Sequence, residues 1–335
     1  TESVVLVPTE KALLAIEVAN EERRVKTTVR EKYKWENAEA ETGNVFLAGD
    51  ILYTVSRTHV NAYFVLEEME ARLKERIQNK PEDLAAYSEL ADLYHKATRF
   101  DDALAQLDKG LKLIEKSRDA NAAAVTLELQ RKKFDALYEL GRSVEGSAKA
   151  DLEKAYIHYG KALEIARLPG QAEVLPVMAL RAMAENAAKR NLIELAVEHY
   201  HQIIAQDGDA VYAYVAESSS KARLFAQARI EELKKKHPGC YDKLEAQAKA
   251  AFEKAANDVA QLEALLAQYP NSQSCGSALL KLAQLSLEKN PDQARFHATL
   301  FLSRYSQAES AAMALSLLAA AYEKSQLLGP AKDML

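Results

Sequence analysis

The sequence predicts a mainly α protein: an α-α superhelix of stacked helix pairs over residues 66–335, behind a small β region at residues 1–65. Three observations predict it. Of 335 residues only 11 are Gly and 8 are Pro, which disfavours both a turn-rich β chain and disorder. Ala, Leu, Glu and Lys, all good helix formers, dominate from residue 66 onward. In that region apolar residues recur at helical spacing, and short polar or Pro/Gly breaks interrupt them.

The first 64 residues read as strands. Val4 to Val7 is a short apolar run, Thr9 to Lys11 a turn, Leu13 to Val18 a second run, and Asn20-Glu21-Glu22 a polar end. Val45-Phe46-Leu47, a Gly49-Asp50 turn, Ile51 to Val55, polar Ser56 to His59 and Val60 to Phe64 repeat the plan. Ala15, Glu17 and Asn20 fall in step with the repeat of quinoprotein (PQQ-type) β-propeller blades, which this segment resembles. Glu21 stands where that repeat has glycine, and Val25 where it has tryptophan. The resemblance implies one or two blades, whereas a propeller needs about four to eight. A small β-meander capping the helices is the alternative.

From Leu66 the elements are helices. LEEMEARLKERIQ (66–78) is amphipathic and stops at Asn79-Lys80-Pro81. Helices follow at about 82–96, 100–116, 121–140, 149–167, 172–189, 192–206, 209–236, 241–268, 275–288, 292–304 and 308–324. Pro169-Gly170, Asp207-Gly208, Pro238-Gly239, Pro270-Asn271 and Asn290-Pro291 punctuate them. Short connections between many helices imply antiparallel neighbours stacked as pairs.

One unit is sharply patterned. Tyr87, Leu90, Ala91 and Tyr94 in one helix are followed by Ala103, Leu107 and Gly110 in the next, across a turn at Arg99 to Asp102 with Asp101 as N-cap. Small residues let two helices cross closely, and large ones fill the space between pairs. Residues 84–117 thereby resemble the 34-residue tetratricopeptide repeat (TPR). Ala155, Tyr159 and Ala162, then Ala196, Tyr200 and Ile203, repeat its second-helix trio. LEALLAQYPNS (262–272) resembles an exit common in bacterial members, and Ala283, Ala294 and Tyr305 mark another pair.

Two stretches depart from the pattern. Residues 209–236 and 241–268 read as double-length helices. Ala248, Phe252, Ala255, Val259, Leu262, Leu266 and Tyr269 follow steps of four and three, as in a coiled-coil seam. The expectation is a long helical hairpin at about 209–269; an ordinary repeat with overlong helices is the alternative. A helix over 241–269 would hold Cys240 and Cys275 about 40 Å apart, too far to bond. At the other end Gly329-Pro330-Ala331 starts a second helix that Leu335 cuts short. With Thr1 in place of Met, this reads as a fragment ending within a repeat, so an upstream targeting signal is not visible and the compartment, cytoplasmic or periplasmic, stays open.

Charge and motifs narrow the function. The net charge of −5 gives no global support for nucleic-acid binding. Lys234-Lys235-Lys236-His237 sits at a helix end, where cations complement the dipole. No apolar run approaches the roughly 20 residues of a membrane span. No phosphate loop, Gly-x-Ser-x-Gly or zinc-spaced Cys pair occurs. Asp92-x-x-His95 and Glu198-x-x-His201 each put both groups on one helix face, but a di-iron bundle needs two Glu-x-x-His helices facing each other plus two further carboxylates, and nothing in the sequence brings these helices together; solvated surface is the expectation. No catalytic residue, metal or cofactor is predicted.

What remains is binding. In a TPR array the first helix of each pair lines a concave groove, and the resemblance implies groove positions at Ser88, Glu89, Asp92 and Lys96, and again at Arg181, Glu185 and Lys189. One TPR subclass grips a C-terminal carboxylate with Lys and Asn where Ser88 and Asp92 stand, so this mode is not expected. The leading expectation is a non-enzymatic scaffold for a protein or peptide partner, with self-association compatible. A membrane-coat or envelope-assembly protein is one alternative, and part of a quinoprotein-like enzyme is another.

Overall fold

The computed structural model describes residues 3–8, 12–21, 24–34, 44–48, 51–55, 60–64, 66–115, 121–215, 218–305 and 309–326. The described chain is mainly α. It divides into two compact units, Thr1–Lys116 and Ser117–Leu335. The strand-to-helix change expected at 65/66 therefore falls inside the first unit.

The first unit opens with two three-stranded antiparallel sheets. One orders β1 (Ser3–Pro8), β2 (Ala12–Glu21) and β3 (Arg24–Lys34); the other orders β4 (Asn44–Ala48), β5 (Ile51–Val55) and β6 (Val60–Phe64). In β4–β5 the register brings Ala48 opposite Ile51, while Gly49-Asp50 itself lies outside the described residues, as do Thr9 to Lys11 and Ser56 to His59. The strand β3 was not expected: its alternation of Val25, Thr27, Val29 with Lys and Arg is a two-residue period hidden among charges. Three strands per sheet give no support to the propeller resemblance, whose blades carry four.

Three helices complete this unit: α1 (Leu66–Asn79), α2 (Leu84–Lys96) and α3 (Phe100–Ile114). Asp83 caps α2 by accepting from the Ala86 amide at 3.2 Å. Helix α2 buries Tyr87, Leu90, Ala91 and Tyr94, and α3 buries Ala103, Leu107 and Gly110. Asp101, expected as the N-cap of α3, instead stands in its first turn, where a carboxylate meets the positive end of the dipole; the N-cap is Arg99, without a side-chain cap bond.

The second unit is a run of helices: α4 (Ala122–Gly146), α5 (Leu152–Ala166), α6 (Val174–Lys189) and α7 (Ile193–Asp207), then α8 (Ala222–Lys236), α9 (Asp242–Ala255), α10 (Val259–Gln268), α11 (Ser274–Ser286), α12 (Pro291–Tyr305) and α13 (Ala311–Lys324); α4 to α8 and α9 to α13 each pack on their sequence neighbours, and α10 also meets α7. Its core gathers Leu180, Ala184, Tyr200, Ile203, Phe225, Ile230, Leu262 and Leu282 into one apolar cluster.

The long hairpin expected at 209–269 does not form. Residues 211–221 are a β-hairpin of β7 (Val211–Val215) and β8 (Ser218–Lys221). Valines and tyrosines alternating with alanine favour a strand, and the serines after them are poor helix formers. The second expected helix breaks after Ala255. Ala256 takes φ of 47°, and Asp258 starts a new helix by accepting from the Gln261 amide at 3.1 Å. Cys240 and Cys275 are both free thiols, and both belong to the core or its edge. The helix expected from Gly329 lies outside the described residues.

One turn recurs. The residue two positions past the end of α2, α6 and α13 is left-handed in each case: Thr98 (φ 57°), Asn191 (φ 59°) and Gln326 (φ 58°). Its amide donates three residues back, Thr98 to His95, Asn191 to Ala188 and Gln326 to Glu323. In the first two the next amide, Arg99 or Leu192, donates five back, to Tyr94 or Ala187. Such a left-handed stop returns orphan carbonyls to a donor and turns the chain sharply. Matched on this turn, Ala91, Ala184 and Ala319 coincide, as do Leu90, Met183 and Leu318, and all six are buried. The repeat is thus written in backbone geometry as well as in residue types.

Candidate functional site

Registering α2 on α6 by that turn puts Ser88 on Arg181, Asp92 on Glu185 and Lys96 on Lys189, an offset of 93 residues throughout. The positions expected to face a groove are equivalent in the two helices. Their surroundings differ.

On α2, Ser88 and Asp92 are half-buried, and Glu89 and Lys96 are exposed. Glu89 is held from α1: Arg76 bonds its carboxylate at 3.0 and 3.1 Å and reaches Asp83 at 2.9 Å. Behind this face Glu70 of α1 accepts from Lys74 at 2.5 Å, from the Tyr94 hydroxyl at 2.9 Å and from Arg99 at 2.7 Å. These donors, Lys74 foremost, hold the Glu70 carboxyl at about 2 against the opposing effect of desolvation. The Arg99 guanidinium also lies 4.4 Å from the Tyr94 ring centroid. This anchor joins α1 to the α2–α3 pair.

On α6, the three residues divide between two clusters. Arg181 donates to Glu185 at 2.7 Å, one turn on, and to the hydroxyl of Tyr212 on β7. Its guanidinium lies 5.5 Å from the Phe225 ring centroid and 5.8 Å from that of Tyr212. Burial works against its charge, but the Tyr212 hydroxyl and the Glu185 carboxylate outweigh it and raise the pKa. Tyr138 of α4 lies within electrostatic reach of both Arg181 and Glu185, and burial raises its phenol. The Arg229 guanidinium of α8 lies 5.7 Å from the Phe225 ring centroid and pairs with Glu232 at 2.8 Å.

Lys189 belongs to the second cluster. It pairs with Glu145 of α4 at 3.2 Å, and Glu145 also accepts from Asn186 at 3.2 Å and from the Tyr159 hydroxyl at 2.8 Å. Asn186 is fully buried, and its Oδ1 makes no hydrogen bond among the described residues. Burial and then Glu145 push the Tyr159 phenol far up, so it stays a donor. The α6 face is therefore a stripe of paired charges backed by the buried rings of Tyr212 and Phe225 at Arg181. Sequence reasoning found Arg181, Glu185 and Lys189. It missed Tyr138, Glu145, Tyr212 and Phe225, which come from α4, β7 and α8; only the fold brings them in.

The metal-spaced pairs have structural uses. His201 stacks on Tyr269 with centroids 5.1 Å apart, and Glu198 pairs with Lys243 of α9 at 2.6 Å. His95 packs edge-on to Phe100 at 5.3 Å. No group of three His, Cys, Asp or Glu side chains suited to a metal ion occurs among the described residues.

Two open cavities indent the second unit. One, of about 470 Å³, lies between α8, the 270–273 loop and the end of α12. Its polar lining is mostly engaged in bonds of its own: Lys234 donates to the Asn271 carbonyl at 2.5 Å, Asn271 to Gln227 at 3.1 Å, and Tyr305 to the Ser272 carbonyl at 3.2 Å. Lys234 of the basic run thus ties α8 to the loop ahead of α11. The other, of about 670 Å³, is lined by Glu194, Glu198, His237 and Cys240; burial raises the Cys240 thiol and leaves it a poor nucleophile at neutral pH. Neither assembles a nucleophile with a base. Among the described residues no helix is long and apolar enough to cross a membrane.

No protein-family model matches the chain, and no curated protein matches it. Among solved structures, it is similar to the TPR2AB-domain:pHSP90-complex of yeast Sti1 at 13% identity, over 75% of this chain and 87% of that one, with a TM-score of 0.26. It is similar to the P58(IPK) TPR domain at 12% identity, over 80% of this chain and 86% of that one, with a TM-score of 0.23. At such scores the likeness carries no argument about the site.

Proposed function

We propose that this protein is a non-enzymatic interaction scaffold built on TPR-like helix pairs, and that it holds a protein or peptide partner on the first helices of those pairs. The recurrent left-handed turn supports the repeat assignment. The observation that carries the binding reading is the α6 stripe. Arg181 and Glu185 are partly exposed, prepaid in orientation by their mutual bond, and flanked by the rings of Tyr212 and Phe225. The two rings are buried and hold the guanidinium from the core side, and polar groups fixed in this way lose little entropy when a partner docks. The equivalent stripe at Ser88, Asp92 and Lys96 serves the same role in the first unit.

The test is affinity capture from lysate on the full chain, beside the same bait carrying Glu185→Lys or Asp92→Lys. Circular dichroism confirms equal helicity first. Proteins captured by the parent and lost from a charge-reversed bait are the expected result. A captured set that both baits retain unchanged, or no captured protein at all, overturns the reading.

A further inference from the structure

Helix α7 carries two histidines that face two different neighbours. His199 bonds the Tyr156 hydroxyl of α5 through Nε2 at 2.7 Å. Two residues on, His201 stacks its ring on Tyr269 at the end of α10, with planes 22° apart. A spacing of two turns the side chains about 200° from each other on a helix, so α7 is joined through one histidine on each side. In both rings Nδ1 is buried and without a hydrogen-bond partner.

We infer that α7 is an acid-sensitive joint: protonation of His199 and His201 loosens its contacts with α5 and α10 and opens this part of the second unit, while the protein as a whole stays folded. A neutral imidazole can leave one nitrogen as a bare lone pair, but the cation makes both nitrogens donors. Here the Nδ1 donor of each ring would sit in a buried place with no acceptor in hydrogen-bond geometry, and the charge would be largely shielded from water at His199 and half-shielded at His201. The surroundings offset this only in part: the Gln202 side chain and then the Glu198 carboxylate favour the charged form of His199, and burial outweighs them. Glu198 reaches His199 electrostatically, yet it is already bound to Lys243 of α9. Arg190 lies over the Tyr156 ring at 5.6 Å and opposes a second positive charge there. No charged group of α6, α8 or α10 acts on His201, for which burial is the one influence. Burial depresses both histidines below their ordinary value, in keeping with the geometry. The joint does not depend on the scaffold reading, because its contacts lie on α5, α7 and α10 and not on the α6 stripe.

The test is hydrogen exchange on the full chain at pH 7 and pH 5, corrected for intrinsic exchange, with the histidine titrations followed by NMR. Protection in peptides from 152–166, 193–207 and 259–269 is expected to fall about tenfold at pH 5. In His199→Gln with His201→Phe, which keeps a group able to bond Tyr156 and a ring to stack on Tyr269, the pH dependence of those peptides is expected to vanish. Equal protection at the two pH values in the parent overturns the inference. So does a double variant that keeps the parent's pH dependence, or histidines that titrate at or above 6.5. If the double variant does not fold, the parent's exchange and titrations decide alone.

Discussion

Gly141→Ala tests the packing of α4 against α5 with a sign opposite to the usual one. Alanine in place of glycine within a helix ordinarily stabilises by about 1 kcal/mol, because the unfolded chain loses freedom and the helix gains propensity. At residue 141 a Cβ would stand 2.6 Å from Cε1 and 2.8 Å from Cδ1 of Tyr159. That ring cannot give way easily: Tyr159 is buried, and its hydroxyl is fixed on Glu145 at 2.8 Å. Forcing a methyl into a filled crossing costs about 1–3 kcal/mol. The balance is a loss of about 1 kcal/mol, or a Tm lower by roughly 2–4 °C for a unit of this size. Gly160 supplies the control. It lies in α5, and the nearest atom to its added Cβ is Met183 Cε at 4.0 Å, so Gly160→Ala is expected to raise Tm. Differential scanning calorimetry on the full chain compares the three proteins. A Gly141→Ala protein as stable as the parent, or more so, would refute the argument that Tyr159 seals this crossing.

Ala103 is fully buried in the patterned unit, so Ala103→Leu is expected to cost about 1–3 kcal/mol, read as an earlier denaturant midpoint. Asp151 caps α5 by accepting from the Lys154 amide at 2.9 Å, and Asp151→Ala is expected to cost about 0.5–2 kcal/mol, with Asp151→Asn near parental. Glu70 gives a pH prediction. Its folded value of about 2 lies below the ordinary 4.5, so its contribution is complete above pH 4.5 and disappears as pH falls through about 2. The stability gap between the parent and Glu70→Gln should therefore close over that window, by urea titration at pH 6, 4 and 2; a gap that is constant with pH would count against the Glu70–Lys74–Arg99 anchor.

What could be read from the sequence was what residue types encode locally. Tyr87, Leu90, Ala91 and Tyr94 are spaced to put one face of a helix into a core, and they are buried there. Ala155, Tyr159 and Ala162, and Ala196, Tyr200 and Ile203, repeat the close crossing and are buried as well. The failures share a cause. The seam from Ala248 to Tyr269 reads as one helix because a short turn at Ala256 barely disturbs its steps of four and three. Ala248, Ala255, Leu262 and Tyr269 still reach the common core, from two helices in place of one. Periodicity reports which side of the chain is apolar and is blind to a break that preserves that side. Asp258 ahead of Val259 was the available signal, since an acid preceding an apolar run marks a new helix start. At Val211 to Val215 the two-residue alternation was equally available, but the helices on either side made a helical reading the more continuous one.

The site was only half legible for a further reason. Arg181, Glu185 and Lys189 were identifiable because their spacing places them along one helix face. What defines their environment is long-range: Tyr212 stands 31 residues from Arg181, and Asn186 is 41 residues from Glu145. The β7–β8 hairpin is the decisive element, because it carries Tyr212 to Arg181. Had 209–236 been a single helix, as expected, Tyr212 would lie on the same rod as Phe225, 13 residues or about 20 Å along it. The hairpin brings the two rings within 5.5 Å of each other, and Arg181 lies against both. The misread segment is thus the one that builds the buried aromatic backing of Arg181. A residue's chemistry can be read from its own helix, but its partners depend on where the chain reverses.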